Sequence, residues 1–122
     1  MTTTTDNIYG DTRFDAYGNV VPTTHPVTMT ELLEFCAAIE TSTAAFFAKH
    51  YDKLSPPKFY PDPKGRKYVR IVREDASGTS RSVHCFVERD TGLIWKAAGW
   101  KAPARNFSRG SIRGDRSYAL RY

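Results

Sequence analysis

The sequence predicts an α+β domain in which one amphipathic helix packs on a three-stranded antiparallel β-meander, with a flexible N-terminal arm and a basic C-terminal tail. Three observations carry this. Apolar residues between positions 28 and 55 recur at steps of three and four. From Lys67 onward the apolar period changes to two. The period-two runs are joined by short, turn-rich connections, which suit antiparallel pairing and not a parallel crossover.

A chain of 122 residues corresponds to one domain. With 40% hydrophobic and 13% aromatic residues it can bury a core without covalent staples. Cys36 and Cys85 are the two cysteines, and they read as buried thiols of a reducing compartment. No apolar run reaches the ~18 residues that a membrane-spanning helix needs. The opening MTTTTDNIYG has neither the basic nor the apolar region of a secretory signal, so a cytoplasmic location is expected.

Residues 1–27, rich in Thr, Asp, Asn, Gly and Pro, show no period and read as an arm, disordered alone or laid across the domain. Thr28-Met29-Thr30-Glu31 is a capping box and starts the helix, expected over 28–55. Its stripe runs through Leu32, Cys36, Ile39, Thr43, Phe46, His50 and Leu54, with Leu33 and Phe47 beside it. Thr41-Ser42-Thr43, weak helix formers, mark where the segment would divide in two. Ser55-Pro56-Pro57 ends it, and FYPDPKG reads as a stiff linker and turn. The sheet, residues 66–104, holds the strand candidates KYVRIVRE, SVHCFVER and GLIWKAAGW; residues 105–122 form the basic tail.

Alternation assigns the faces. Val69 and Ile71, with Val83, Cys85 and Val87, should meet the helix, leaving Tyr68, Arg70, His84 and Phe86 on the far side. If Ile94 and Ala98 point inward, Trp95 joins them. The far side is then either an open platform of rings and cations or a second small core under the arm or the tail.

Charge is uneven. Residues 1–63 carry four basic against eight acidic side chains, net −4; residues 64–122 carry fourteen against five, net +9. A segment that basic attracts polyanions, of which nucleic acid is the commonest in a cytoplasm. Residues 92–114 interleave two tryptophans with five basic residues and contain no acid. Rings stack bases while cations hold phosphates, so Tyr68, Arg70, His84, Phe86, Trp95, Lys96, Trp100, Lys101, Arg105 and Arg109 are the candidate nucleic-acid-binding residues. Arginine adds a planar fork for phosphate.

The chemistry of an enzyme or a metal centre is not legible. Asp90-Thr91-Gly92 spells the aspartic-protease triplet, but Glu88 and Arg89 precede it where that site needs an apolar strand, and it reads as a hairpin turn. His84 and Cys85 are sequence neighbours, so on a regular strand they face opposite ways and make no nucleophile and base pair. His25, His50 and His84 are scattered and the cysteines are far apart, so no metal and no cofactor is expected.

The runs KYVRIVRE and RSVHCFVERDTGLIWKAAGWKAPARN, followed by RGSI, resemble a group of small bacteriophage proteins. These share an R-S-V-x-x-F-[IV]-x-x-x-x-G-x-[IL]-x-K-A-A-x-W-K-A-P-A-[KR] pattern, which falls here on Arg81 to Arg105. The resemblance covers roughly residues 66–112 and implies a phage setting, hence a bacterial host cytoplasm. The expected function is nucleic-acid binding, single-stranded or RNA, without strong sequence preference. The alternative is a protein-interaction module, a host-directed regulator or a minor virion component, since Trp and Arg also dominate protein interfaces.

Overall fold

The computed structural model describes residues 26–121 and, before them, only the backbone of two short strands, β1 (Arg13–Phe14) and β2 (Val20–Val21), which pair antiparallel. The remainder of the arm expected over 1–27 lies outside the described residues. After it come α1 (Met29–His50), β3 (Lys58–Asp62), β4 (Tyr68–Glu74), β5 (Arg81–Glu88), β6 (Ile94–Trp95) and α2 (Ser117–Leu120). Strands β3 to β6 form one antiparallel sheet in sequence order, and α1 packs on one of its faces. The fold class is the α+β arrangement expected from the sequence, with four strands in place of three.

Helix α1 begins where the capping box said it would. The Thr28 hydroxyl accepts from the Glu31 amide at 3.1 Å and the Glu31 carboxylate accepts from the Thr28 amide at 2.9 Å. The helix is not divided: Thr41 bonds back to the Ala37 carbonyl, Ser42 donates to the Leu120 carbonyl at 2.6 Å, and Thr43 is buried. It ends at His50, short of Leu54. The buried stripe is Leu32, Phe35, Cys36, Ile39, Thr43 and Phe47, so its last turn rests on Phe47. His50 and Leu54, expected on the stripe, are exposed.

The fourth strand is the segment read as a linker, and Pro61 within it explains both the misreading and the strand's place at the edge. Proline cannot donate to a ladder and is tolerated where its nitrogen faces away from the neighbouring strand. Two residues earlier, and therefore pointing the same way, the Phe59 amide donates outward to Glu40 Oε2 of α1 at 2.8 Å. On the other side of the sheet, residues 109–112 run against 92–94. Arg109 N–H donates to the Ile94 carbonyl at 2.7 Å, Ile94 N–H to the Gly110 carbonyl at 2.8 Å, and Ile112 N–H to the Gly92 carbonyl at 2.9 Å.

The core lies between α1 and the inner face of the sheet. It contains Leu32, Phe35, Cys36 and Ile39 from the helix and Phe59, Val69, Ile71, Cys85, Val87 and Ile94 from the strands, closed by Val27, Ile112 and Ala119. Cys36 and Cys85 are free buried thiols; burial, with Glu40 nearby, pushes Cys36 up to about 12. The Asp90-Thr91-Gly92 turn closes the β5–β6 hairpin, with Gly92 at φ +78°, a left-handed conformation that suits glycine.

A β-bulge in β5 alters the face assignment. Ile71 pairs with Cys85 but Val72 pairs with Val83, so β5 carries one extra residue at His84. Val83 is thereby turned to the outer face opposite Val72. His84 is turned inward: its ring meets Phe59 edge-on at 5.0 Å and Nε2–H donates to the Ala119 carbonyl at 2.7 Å. His84 is not among the outer rings.

The basic C-terminal segment is fastened to the acidic half of the chain. The Arg113 guanidinium grips both oxygens of Glu31, at 2.7 and 2.8 Å, and reaches the Pro26 carbonyl. Arg116 grips both oxygens of Glu34, at 3.0 and 2.6 Å. Short helix α2 then rests against α1.

Candidate nucleic-acid interface

Residues directly opposite one another on paired strands share a face. Asp62, Arg70, Phe86 and Trp95 therefore form one row across all four strands, on the side away from α1. Tyr60, Val72 and Val83 form a second row, Lys58, Glu74 and Arg81 a third, and Tyr68 pairs with Glu88 beside the first. The far face thus carries the rings and cations the sequence called for, His84 excepted.

These rings are not an open platform. Phe86 is 2% exposed and Trp95 7%, so of the two arrangements the sequence allows for this face these two rings follow the covered one. Tyr68 meets Phe86 edge-on at 6.3 Å, and the Arg70 guanidinium lies 5.9 Å from its ring centre. Arg105 covers Trp95 at 4.4 Å from the ring centre and bonds the Tyr68 hydroxyl, while the Trp95 N–H donates to Glu88 at 3.0 Å. Beyond Trp95 the expected third strand does not continue. Ala98 N–H donates to the Ala102 carbonyl and Ala104 N–H to the Lys96 carbonyl, folding residues 96–104 into a tight loop, and Arg70 Nε donates to the Trp100 carbonyl at 2.7 Å to hold it over the sheet.

Trp100 is the most exposed ring of this face, at 40%. The Arg70 guanidinium lies 4.6 Å from its centre and that of Arg81 5.7 Å. Arg70 is itself held by Asp62, Nη1 to Oδ2 at 2.7 Å. The other two carboxylates of this face are also engaged: Glu74 accepts from the Tyr60 hydroxyl at 3.0 Å, and Glu88 accepts from Trp95. The exposed cations Arg81, Lys101 and Arg105 form no ion pair with an acid among the described residues.

A cleft of about 210 Å³ opens beside this row, between the turn that precedes β4 and the loop that carries Trp100. Asp62, Arg66, Lys67, Tyr68, Phe86 and Lys101 line it together with Arg70 and Gly65. Its turn is built from outside: Arg89 donates from Nε to the Gly65 carbonyl at 2.8 Å and from Nη2 to the Pro63 carbonyl. A Cβ on Gly65 would stand 2.5 Å from the Tyr68 carbonyl oxygen, so only glycine fits there.

Of the candidate residues, the structure brings together Tyr68, Arg70, Phe86, Trp95, Trp100, Lys101 and Arg105. Lys96 is exposed just after β6, outside the cleft lining. Arg109 stands apart: its guanidinium lies over Phe107 at 4.0 Å and Tyr118 at 5.6 Å, rings of the C-terminal segment, and its Nε is buried without a partner. Arg66, Lys67 and Arg81 belong to the site but were not among the candidates. The signal for the first two was Lys64, Arg66 and Lys67 within four positions just after Pro63. Among the described residues no group of three or more His, Cys, Asp or Glu side chains is placed to hold a metal ion, and no helix is long and apolar enough to cross a membrane.

Fold and site together define a small α+β domain with a basic, aromatic sheet face. A model described as a family of unknown function (DUF7717) matches residues 19–120, and the chain belongs to that family. The match spans α1, the whole four-stranded sheet and α2. No curated protein and no solved structure matches it.

Proposed function

We propose that the outer sheet face binds nucleic acid, single-stranded DNA or RNA, without strong sequence preference. The observation that carries this is Trp100, 40% exposed with Arg70 and Arg81 against its ring, on a face whose three carboxylates are already engaged. An indole edge and face offer a base a stacking surface, and the neighbouring guanidinium and ammonium groups offer its phosphates fixed positive charge. None of these contacts selects one base edge over another, so the binding is sequence-tolerant. The resemblance to small phage proteins supports an accessory role in phage replication, expression or packaging, in the cytoplasm of a bacterial host.

An electrophoretic shift with labelled single and double strands at two salt concentrations tests this. Retardation at low salt that weakens log-linearly as salt rises is expected. Trp100→Ala should weaken binding of single strands about tenfold or more, the loss of one stacked base at ~1–3 kcal/mol. No shift at low salt from a folded protein rejects the proposal. It then favours a protein-interaction module, a reading supported by a separate patch where Met29 and Leu33 stand 46% and 54% exposed at the start of α1.

A further inference from the structure

The cleft between the 63–67 turn and the Trp100 loop has features that stacking on Trp100 does not use. Three cations, Arg66, Lys67 and Lys101, come to it from two separate segments, and none forms an ion pair with an acid among the described residues. Its one carboxylate, Asp62, is held by Arg70 at 2.7 Å and does not compete for them. Both walls are fixed by arginines: from outside the cleft Arg89 binds the carbonyls of Pro63 and Gly65, and Arg70, itself in the lining, binds the carbonyl of Trp100, the residue before Lys101. The side is aromatic, Tyr68 against the buried Phe86 ring at 6.3 Å.

Size and charge narrow the occupant. At about 210 Å³ the cleft is smaller than the roughly 300–1,000 Å³ of sites that enclose a drug-sized ligand. It suits one phosphate and part of its nucleoside. A phosphodiester within a strand carries one negative charge, whereas a phosphomonoester carries about 1.5–2 near neutral pH and exposes three acceptor oxygens. Three unopposed cations match the second better than the first.

We propose that this cleft binds a nucleoside phosphomonoester, the phosphorylated end of a strand or a free mononucleotide, with Arg66, Lys67 and Lys101 on the phosphate and the Tyr68 ring beside the nucleoside. The strand-end form rests on the nucleic-acid reading of the same face; the mononucleotide form does not. Oligonucleotides of one sequence, bearing a 5′-phosphate, a 3′-phosphate or hydroxyls at both ends, separate these in an anisotropy titration, with nucleoside monophosphates and unphosphorylated nucleosides as competitors. One phosphorylated end should bind about tenfold tighter than the hydroxyl-ended strand, the scale of one charge-assisted hydrogen bond. The monophosphate should compete and the nucleoside should not.

Exchanging the exposed cations in an Arg66→Glu, Lys101→Glu double variant should abolish the end preference without changing the circular dichroism spectrum. Trp100→Ala should lower all affinities together and keep the preference. Equal, salt-sensitive binding of all three strands overturns the inference and leaves the nucleic-acid reading intact. Monophosphate binding with no strand binding supports a mononucleotide site and rejects the other reading; no binding of any probe rejects both.

Discussion

Two sets of arginines from the same basic half of the chain have opposite fates. Arg113 and Arg116 close on carboxylates of α1, each in a bidentate grip, and hold the C-terminal segment to the helix. Arg81 and Arg105 lie over the rings of Trp100 and Trp95 with no carboxylate partner among the described residues. The difference is set by what the acidic half presents to each. Glu31 and Glu34 face the C-terminal segment, while the carboxylates of the outer face are taken up by Arg70, Tyr60 and Trp95. A positive count over a segment therefore overstates its capacity for polyanions, because part of that charge is internal cement.

The sharpest way to break the comparison is to remove one member of the internal set. Arg113 is 5% exposed, and its loss strands Glu31, loosens the capping box and removes one hydrogen bond from the Pro26 carbonyl. Arg113→Ala should lower stability by about 2–3 kcal/mol in urea denaturation, below the 3–5 typical of a fully buried pair because Glu31 is 24% exposed. Its effect on nucleic-acid affinity should be small once the variant is folded. A large affinity loss with unchanged stability would invert the assignment.

Acid should act on the same set. Burial raises the Glu31 carboxyl, but hydrogen bonds from Arg113 and the Thr28 amide, with the Arg113 charge, outweigh it and leave it below its ordinary 4.5. Glu34 is lowered by its hydrogen bonds from Arg116, against a smaller opposing effect of burial. Carboxylates with depressed folded values contribute stability above the unfolded value and lose it as pH falls through the folded one. His84 adds an earlier step, since burial holds its ring neutral against the hydrogen bond to Ala119, and the unfolded ring protonates as pH falls through 6.5. Stability measured by urea midpoint should therefore fall in two stages, below about pH 6.5 and again below 4.5. Removing Arg113 should shrink the second stage only.

The smallest stability effect is expected from the external set. Arg105→Ala should change stability by no more than about 1 kcal/mol, since its contacts are exposed cation–π and hydrogen-bonding ones. The slope of log affinity against log salt should become shallower by about one. An unchanged slope would show that Arg105 serves only as a lid on Trp95.

The features written in short-range pattern were legible. Thr28 and Glu31 mark the start of α1, the period-two runs mark β4 and β5, and Asp90-Thr91-Gly92 marks the hairpin turn. Strand β3 was hidden because Pro56, Pro57 and Pro61 read as breakers, and only the sheet shows that Pro61 lies on an edge where its missing N–H costs little. The bulge at His84 has no glycine to announce it, and it exchanges Val83 and His84 between faces. The pairing of Glu31 with Arg113 spans 82 residues, beyond any local period, so residues 105–122 read only as a basic tail. Arg70 and Trp100 were both named as candidates, but that one would hold the other's carbonyl and cover its ring depended on the loop at 96–104.

Among the described residues, part of each margin of the four-stranded sheet is closed. On the β3 side the Phe59 amide is occupied by Glu40 and Pro61 has no amide to offer; on the β6 side residues 109–112 already lie alongside. At those positions a visiting chain finds no vacant ladder on which to add a strand. On the proposed reading, a strand that lands broadside on the outer face meets side chains and not main chain, the Trp100 indole and the cations around it.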